Sequence, residues 1–335
     1  MSTPTDVGAR LRQLRTAGLG DLLFVPLVLL VIVAYLGIVN EAFLTKTNLT
    51  NILLQGAVLA IVALGMTFLI LAAELDLSVG AGVALVSVVA ALVMRDTGSV
   101  LVGVLAGVGV GAAVGVINGL IVTKLEVPSF IATLGMLVIL EGIALLLTDA
   151  AVVGRLPEGV KALTNDTFLG IRLILWLLLA VFVALYLLQS RTTFGARVFA
   201  VGGSPEAARL SGISVDRTRF FCFVIAGVAV GIAGVALTAR VGSGQPGAGG
   251  VLALTSIAAI VIGGTSLYGG RGSVVRTVWG VLLISVVENG LDLEGVNVDM
   301  QRVVIGIVFI VAAGADFFRR RWRQGQRNRA VEGVA

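Results

Sequence analysis

Carboxylates and amides set within long apolar stretches are the residues of this sequence best placed to do chemistry. Glu74 and Asp76 stand two apart in Ala72-Ala73-Glu74-Leu75-Asp76-Leu77-Ser78-Val79-Gly80. Glu141 stands alone in an apolar run, and Asn118 and Asn289 each head an Asn-Gly-Leu triplet. A carboxylate at mid-bilayer costs about 2.5–3.5 kcal/mol on insertion scales, so such groups line a cavity or a packed polar interface. There they can hydrogen-bond a polar solute, hold a cation or pass a proton. Simpler duties compete. Glu74 and Asp76 also suit a short turn that reaches the membrane surface. Asp76 further suits the N-cap of the helix that follows, with Val79 as its third residue. The two Asn side chains suit hydrogen bonds between neighbouring helices.

Much other chemistry is excluded by what the sequence lacks. It contains no histidine, so His-based acid–base catalysis, a Ser-His-Asp triad and the usual zinc sites have no means within this chain. The segment 263–273, Gly-Gly-Thr-Ser-Leu-Tyr-Gly-Gly-Arg-Gly-Ser, is glycine-rich. No Gly-Lys-Ser/Thr follows anywhere, so it is not a Walker-type phosphate loop and the chain has no recognisable means to hydrolyse ATP. Its glycines point instead to irregular backbone, which a membrane tolerates only inside protein or beside water. The lone Cys222 lies in an apolar run and reads as a small packing residue. No metal site, cofactor or catalytic residue is expected.

The elements that must position these groups follow from composition. Of the 335 residues 58% are hydrophobic and 13% charged, about half the charged fraction of a soluble domain. Lipid can cover such a chain and water cannot. The expected fold is an all-α polytopic membrane protein of about ten transmembrane helices. The apolar runs are 22–39, 52–73, 77–94, 100–122, 130–147, 173–188, 220–239, 251–267, 274–287 and 303–318, against about 20 residues for a full crossing. Runs 173–188 and 274–287 read as short, and 77–94 and 251–267 as interrupted or flanked by Gly, the pattern of discontinuous transporter helices. A signal peptide is an alternative for the first run, but no small-residue cleavage site follows Val39.

Charge orients the spans. With the N-terminus inside, the inner loops collect Arg10, Arg12, Arg15, Lys124, Arg191, Arg197, Arg209, Arg217, Arg219, Arg271, Arg276 and the basic tail. The outer loops hold Lys46, Arg95, Arg155, Lys161, Arg172, Arg240 and Arg302. Excess Lys and Arg mark the cytoplasmic side, so both termini are expected there. The organisation is then a cytoplasmic segment 1–21, a transmembrane domain 22–318 and a basic cytoplasmic tail 319–335. The net charge of +5 is spread over loops with no aromatic interleaving, which does not suit nucleic acid. In this orientation Asn118-Gly119-Leu120 and Asn289-Gly290-Leu291 lie on oppositely directed segments, the trace an inverted repeat would leave.

Two loops are long enough for structure of their own, 148–172 outside and 189–219 inside. In the inner loop Ser204 can cap a short helix over Pro205–Leu210, Pro205 suits its first position, Glu206 lies in its first turn and Gly212 ends it. So short a helix is marginal in water by itself and is either a surface turn or a piece that needs a docking surface.

Taken together, Asp76-Leu77-Ser78-Val79-Gly80, Pro128-Ser129-Phe130-Ile131-Ala132-Thr133-Leu134-Gly135, the glycine-rich 263–273 and Asn289-Gly290-Leu291 resemble the motifs of bacterial ABC importer permeases serving ribose, xylose, galactose and related sugars. The stretch Gly202-Gly203-Ser204-Pro205-Glu206-Ala207-Ala208-Arg209-Leu210-Ser211-Gly212-Ile213 resembles that family's coupling segment. The resemblance runs from about residue 45 to about 315. It implies a non-catalytic permease in the bacterial inner membrane, a homodimer, an ATP-binding subunit on the cytoplasmic side and an extracytoplasmic sugar-binding protein. It also implies that Pro205, Glu206, Ala207, Ala208, Arg209 and Gly212 couple to the ATPase, the two alanines by permitting close approach. Asp76, Asn118, Glu141, Glu288 and Asn289 become candidates for the translocation path. Two positions depart from the family pattern: Glu74, in Ala73-Glu74-Leu75, and Arg276 stand where the family often has small residues. A related branched-chain amino acid permease is the alternative. An ion-coupled transporter would also use embedded carboxylates, but the coupling segment argues against it. A membrane enzyme lacks a nucleophile–base pair.

Overall fold

The computed structural model describes residues 24–307, 310–311 and 314. The segment 1–21 and the tail 319–335 lie outside the described residues. The helices in chain order are α1 (Phe24–Val39), then α2 (Lys46–Leu71), α3 (Val79–Thr97), α4 (Val100–Lys124), α5 (Ser129–Leu146), α6 (Ala162–Asn165), α7 (Leu173–Arg191), α8 (Thr193–Gly203), α9 (Pro205–Leu210), α10 (Val215–Val241), α11 (Leu252–Ile262) and α12 (Val274–Leu293). A further helix, α13, begins at residue 298. Each apolar run read from the sequence thus contains a helix among the described residues. Among the described residues seven helices are long and apolar enough to cross a membrane, α1 and α11 being shorter. The chain is an all-α polytopic membrane protein.

Helix α2 is the hub. It is apolar on every side, and all its residues from Gly56 to Leu71 are buried, as expected of a helix without a polar face. Helices α7, α10, α11 and α12 pack around it. Helix α4 shows the opposite economy: its buried residues are Gly103, Gly107, Gly111, Val114, Gly115, Asn118 and Gly119. Five glycines four residues apart form one stripe. A Cβ on Gly111 would strike the backbone of Gly227 and Gly231 of α10, and one on Gly115 the backbone of Phe223 and Gly227. The backbones of α4 and α10 therefore meet directly, the small-residue packing that membrane helices use where burial from water gives no driving force.

Two runs that read as short are not. Helix α7 has 19 residues and α12 has 20. Both continue through polar residues where the apolar run ends, because a helix stops where its cap lies rather than where its hydropathy falls. Helix α3, also with 19 residues, is close to full length. Of the four runs read as short or interrupted, α11 alone stays short: its 11 residues span about 16 Å at 1.5 Å per residue, roughly half of a ~30 Å hydrocarbon core. A non-helical stretch, 243–250, completes the element. Gly244 pairs with Val153 in an isolated β-bridge, the N–H of Gln245 donates to Ser87 Oγ at 3.3 Å, and Gly249 abuts the backbone of Gly80. The stretch therefore runs alongside α3 from its distal half towards its start. The loop 148–172 is structured too, by α6 and a two-residue hairpin, β1 (Thr167–Phe168) and β2 (Ile171–Arg172).

Candidate functional site

The arm 192–214 holds the short helix in the expected register. Ser204 is extended at φ −162° and its side chain accepts from the N–H of Ala207 at 3.2 Å. Pro205 opens the helix and Glu206 lies in its first turn. Two bonds close it, from the N–H of Gly212 to Arg209 O and from the N–H of Ile213 to Ala208 O, both 3.0 Å. With Gly212 at φ +79° this is a left-handed helix stop with the paired backbone bonds that satisfy the last carbonyls. Ala208 does not face outward: it is buried, in one apolar cluster with Val201 and Val215. The outward face consists of Glu206, Ala207, Arg209 and Leu210. Arg209 lies 3.9 Å from Asp216, both more than half exposed, a weak pair at best in solvent. Leu210 is 91% exposed. It is not among the site residues expected from sequence; a large apolar side chain at the last turn of a capped, polar helix is the signal that could have found it.

This arm is fastened to the helix bundle through backbone. A Cβ on Gly202, in the last turn of α8, would collide with Leu71 O and with the N–H of Gly270. That N–H donates to Leu71 O at 2.9 Å, satisfying a carbonyl at the end of α2 that has no partner within its helix. The glycine-rich turn 263–273 is irregular as expected, with Gly264, Gly269, Gly270 and Gly272 all at positive φ, and it is packed: Thr265 and Ser266 are buried. It adjoins the close of α2, where the N–H groups of Ala73 and Glu74 bond Ile70 O and Leu69 O. Ala73 takes the left-handed conformation at φ +61° that glycine usually fills. Glu74 is buried, with Oε1 2.8 Å from Arg219 Nε of α10.

Asp76 is not the N-cap of α3. Ser78 holds that position, and Asp76 Oδ1 accepts from both the N–H (2.8 Å) and the Oγ (2.6 Å) of Ser78. An Asx turn of this kind satisfies a carboxylate two residues before the helix start. Asn118 Nδ2 donates to Asp76 Oδ2 at 3.2 Å and to Ser78 Oγ at 2.9 Å. Thr133 Oγ1 of α5 accepts from the N–H of Leu77 at 3.2 Å. Asp76 and Asn118 thus form a buried knot that ties α3, α4 and α5 together.

The other candidates lie elsewhere. Asn289 exchanges amide bonds with Asn48 at 2.8 and 2.9 Å, near the start of α2 and so about 35 Å along that helix from its end. The two Asn-Gly-Leu motifs therefore have different partners. Glu288 is half-buried on α12 and feels the charges of Arg240 and Asp292. Arg240 Nη1 in turn donates to Gln55 O at 3.3 Å. Glu141 lines a cavity of ≈ 140 Å³ with Gly80, Ala81, Leu137, Gly249 and Gly250. One wall of that cavity is the start of α3 and the other is the non-helical stretch ahead of α11. Irregular backbone at membrane depth fits only such a place.

No solved structure matches the chain. The family model described as "Branched-chain amino acid transport system / permease component" matches residues 48–313. The ribose import permease protein RbsC of Bacillus subtilis (strain 168) is 43% identical over 291 residues, 86% of this chain and 90% of the relative. The probable ABC transporter permease protein YphD of Escherichia coli (strain K12) is 40% identical over 292 residues, 86% of this chain and 88% of the relative. The L-arabinose transport system permease protein AraH of the same organism is 38% identical over 279 residues, 83% and 85% of the two chains. The family match takes in the packed core, the capped arm, the glycine-rich turn and the buried knot alike, and the chain belongs to this family of transport-system permease components.

Proposed function

We propose that the chain is the membrane-spanning subunit of an ATP-driven importer of a monosaccharide of the ribose, xylose or galactose type. The observation that carries this reading is the α9 arm. A capped six-residue helix, anchored inward by Ala208, presents Glu206, Arg209 and the exposed Leu210 outward. Such a face fits a groove on a separate ATP-binding subunit, which supplies the hydrolysis this chain does not perform. The distribution of Lys and Arg supports a cytoplasmic position for the arm and for both termini. An extracytoplasmic binding protein delivers the sugar, so the permease has no need to bind it tightly. A conformational cycle needs partners that interact differently with its states: the ATPase does so inside and the loaded binding protein outside.

The path runs past the cavity beside Glu141. Leu134, Val138 and Ile139 of α5 are exposed on the same helix as Glu141. A carboxylate facing lipid is costly, so a second copy of the chain covers this face and the path lies between the two. The relatives are named for ribose and arabinose, which favours sugars over the branched-chain amino acids of the family description.

The test is uptake into liposomes holding the chain with its ATP-binding subunit and binding protein, using labelled pentoses, hexoses and leucine. ATP-dependent sugar uptake is expected, lost in Glu206→Lys and Leu210→Asp variants that still insert. Uptake of leucine instead would reassign the substrate. Uptake without the ATPase would sink the importer reading.

A further inference from the structure

We propose that Glu74 and Arg219 are positioning residues, a buried charge contact through which the α8–α9 arm sets the start of α3 and so the state of the path; this rests on the docking reading above. The contact adds a side-chain link between two places that the backbone contact of Gly202 with Leu71 already brings together. Arg219 lies one turn beyond Val215 on α10, hence on the same face of that helix, and Val215 packs on Ala208 of α9. Glu74 lies in the turn that closes α2, two residues ahead of Asp76. From Asp76 the bonds pass to Ser78, at the start of α3, and to Asn118 of α4. A push on α9 thus reaches α3 and α4 through Val215, Arg219, Glu74 and Asp76, each joined to the next by a contact or by a short step along the chain.

The character of the contact fits movement better than cohesion. A pair that served only stability would be replaceable by apolar residues of similar volume at little or no loss. Arg also makes its firmest pairs through both prongs of the guanidinium. Here Nε lies 2.8 Å from Oε1, yet the N–H does not align on the oxygen as a hydrogen bond. One unaligned contact can slide or rotate and keep its Coulomb attraction, where a two-pronged clasp would break. Burial strengthens that attraction, since little water screens it: the side chains are 25% and 8% exposed for Arg219 and Glu74. A left-handed turn lies beside it. Ala73 is in the left-handed conformation, and a non-glycine residue held there marks a turn with stored strain.

The decisive variant is the double Glu74→Gln, Arg219→Gln. It removes both charges, keeping the shape at 74 and shortening the side chain at 219, and leaves no unpaired buried ion to unfold the chain, as either single change would. With the ATP-binding subunit and binding protein in nanodiscs and liposomes, the double variant should melt as wild type, retain its ATPase through purification and keep its basal ATP hydrolysis. Sugar imported per ATP hydrolysed should fall at least tenfold. Arg219→Lys, which keeps the charge, should recover a large part of that ratio. A double variant that imports as efficiently as wild type would overturn the proposal. So would one whose loss of uptake is matched by loss of melting temperature, with the surviving fraction fully coupled.

A second measurement separates this proposal from the docking reading. In the chain alone, hydrogen exchange of the double variant should rise both in 73–82 and in 202–215. If the wild-type chain fails to hold the ATPase but exchange still rises in both segments, the docking reading fails and the link stands. A rise confined to the immediate neighbours of residues 74 and 219 would overturn the link.

Discussion

The carbonyl of Leu71, at the end of α2, accepts its hydrogen bond from the N–H of Gly270, and Gly202 closes over the same carbonyl so tightly that no side chain fits between them. Three segments distant in sequence therefore share one point: the central helix, the glycine-rich turn and the arm that carries α9. Gly202→Ala is expected to lower stability by about 1–3 kcal/mol, the usual range for overpacking a tight contact. Gly203→Ala should do little, because a Cβ there meets nothing within 4 Å. Melting curves of the purified variants in detergent check the pair.

The α4–α10 contact makes a companion prediction inside the bilayer. Gly111→Leu should force the two backbones apart and cost at least the same ~1–3 kcal/mol, whereas Gly109→Leu on the same helix faces open space and should melt close to wild type. Both leave the apolar length of α4 intact and should insert equally, as measured by membrane fractionation.

Ala73 offers the opposite sign. A left-handed L-residue costs roughly 1–2 kcal/mol relative to glycine, offset in part by the greater unfolded-state freedom of glycine, roughly 0.5–1 kcal/mol. Ala73→Gly should raise the melting temperature slightly, and Ala73→Val should lower it, since a β-branched residue suits that conformation least.

Asn118 should be intolerant in two distinguishable ways. Asn118→Leu deprives Asp76 Oδ2 and Ser78 of a donor, at about 1–3 kcal/mol for stranded buried groups. Asn118→Asp instead sets a second carboxylate against Asp76, and its loss of stability should shrink when the measurement is moved from neutral to acidic pH, because protonation removes the repulsion. The leucine variant should show no such recovery. Thermal melting at two pH values separates the two.

Capping chemistry makes the bounds of α9 legible from the amino-acid sequence, though not which side chains face outward: Ser204, Pro205, Glu206 and Gly212 are local signals, and local signals act over three or four residues. The glycine stripe of α4 is equally open to reading, since its spacing is strictly four, but the number of glycines alone does not reveal it and their period does. Asp76 reads from sequence as either a turn residue or a cap and is the former, because the rule for a cap and the rule for an Asx turn differ by two residues. Which rule applies depends on where the helix starts. The Asn48–Asn289 pair, the collision of Gly202 with Leu71 and the Glu74–Arg219 contact are beyond the reach of such rules. Each joins residues far apart in the chain, and hydropathy carries no record of which helix lies beside which.

The half-height of α11 changes what it takes to open the wall beside Glu141. Displacing a full helix means moving a rigid rod and everything interlocked with it. Where the rod is replaced over half its length by 243–250, with Gly244, Gly247, Gly249 and Gly250 within that stretch, the barrier is a short non-helical curtain. What holds that curtain in place is the bridge to Val153, the Gln245–Ser87 bond and the contact with Gly80, with no helical ladder behind them.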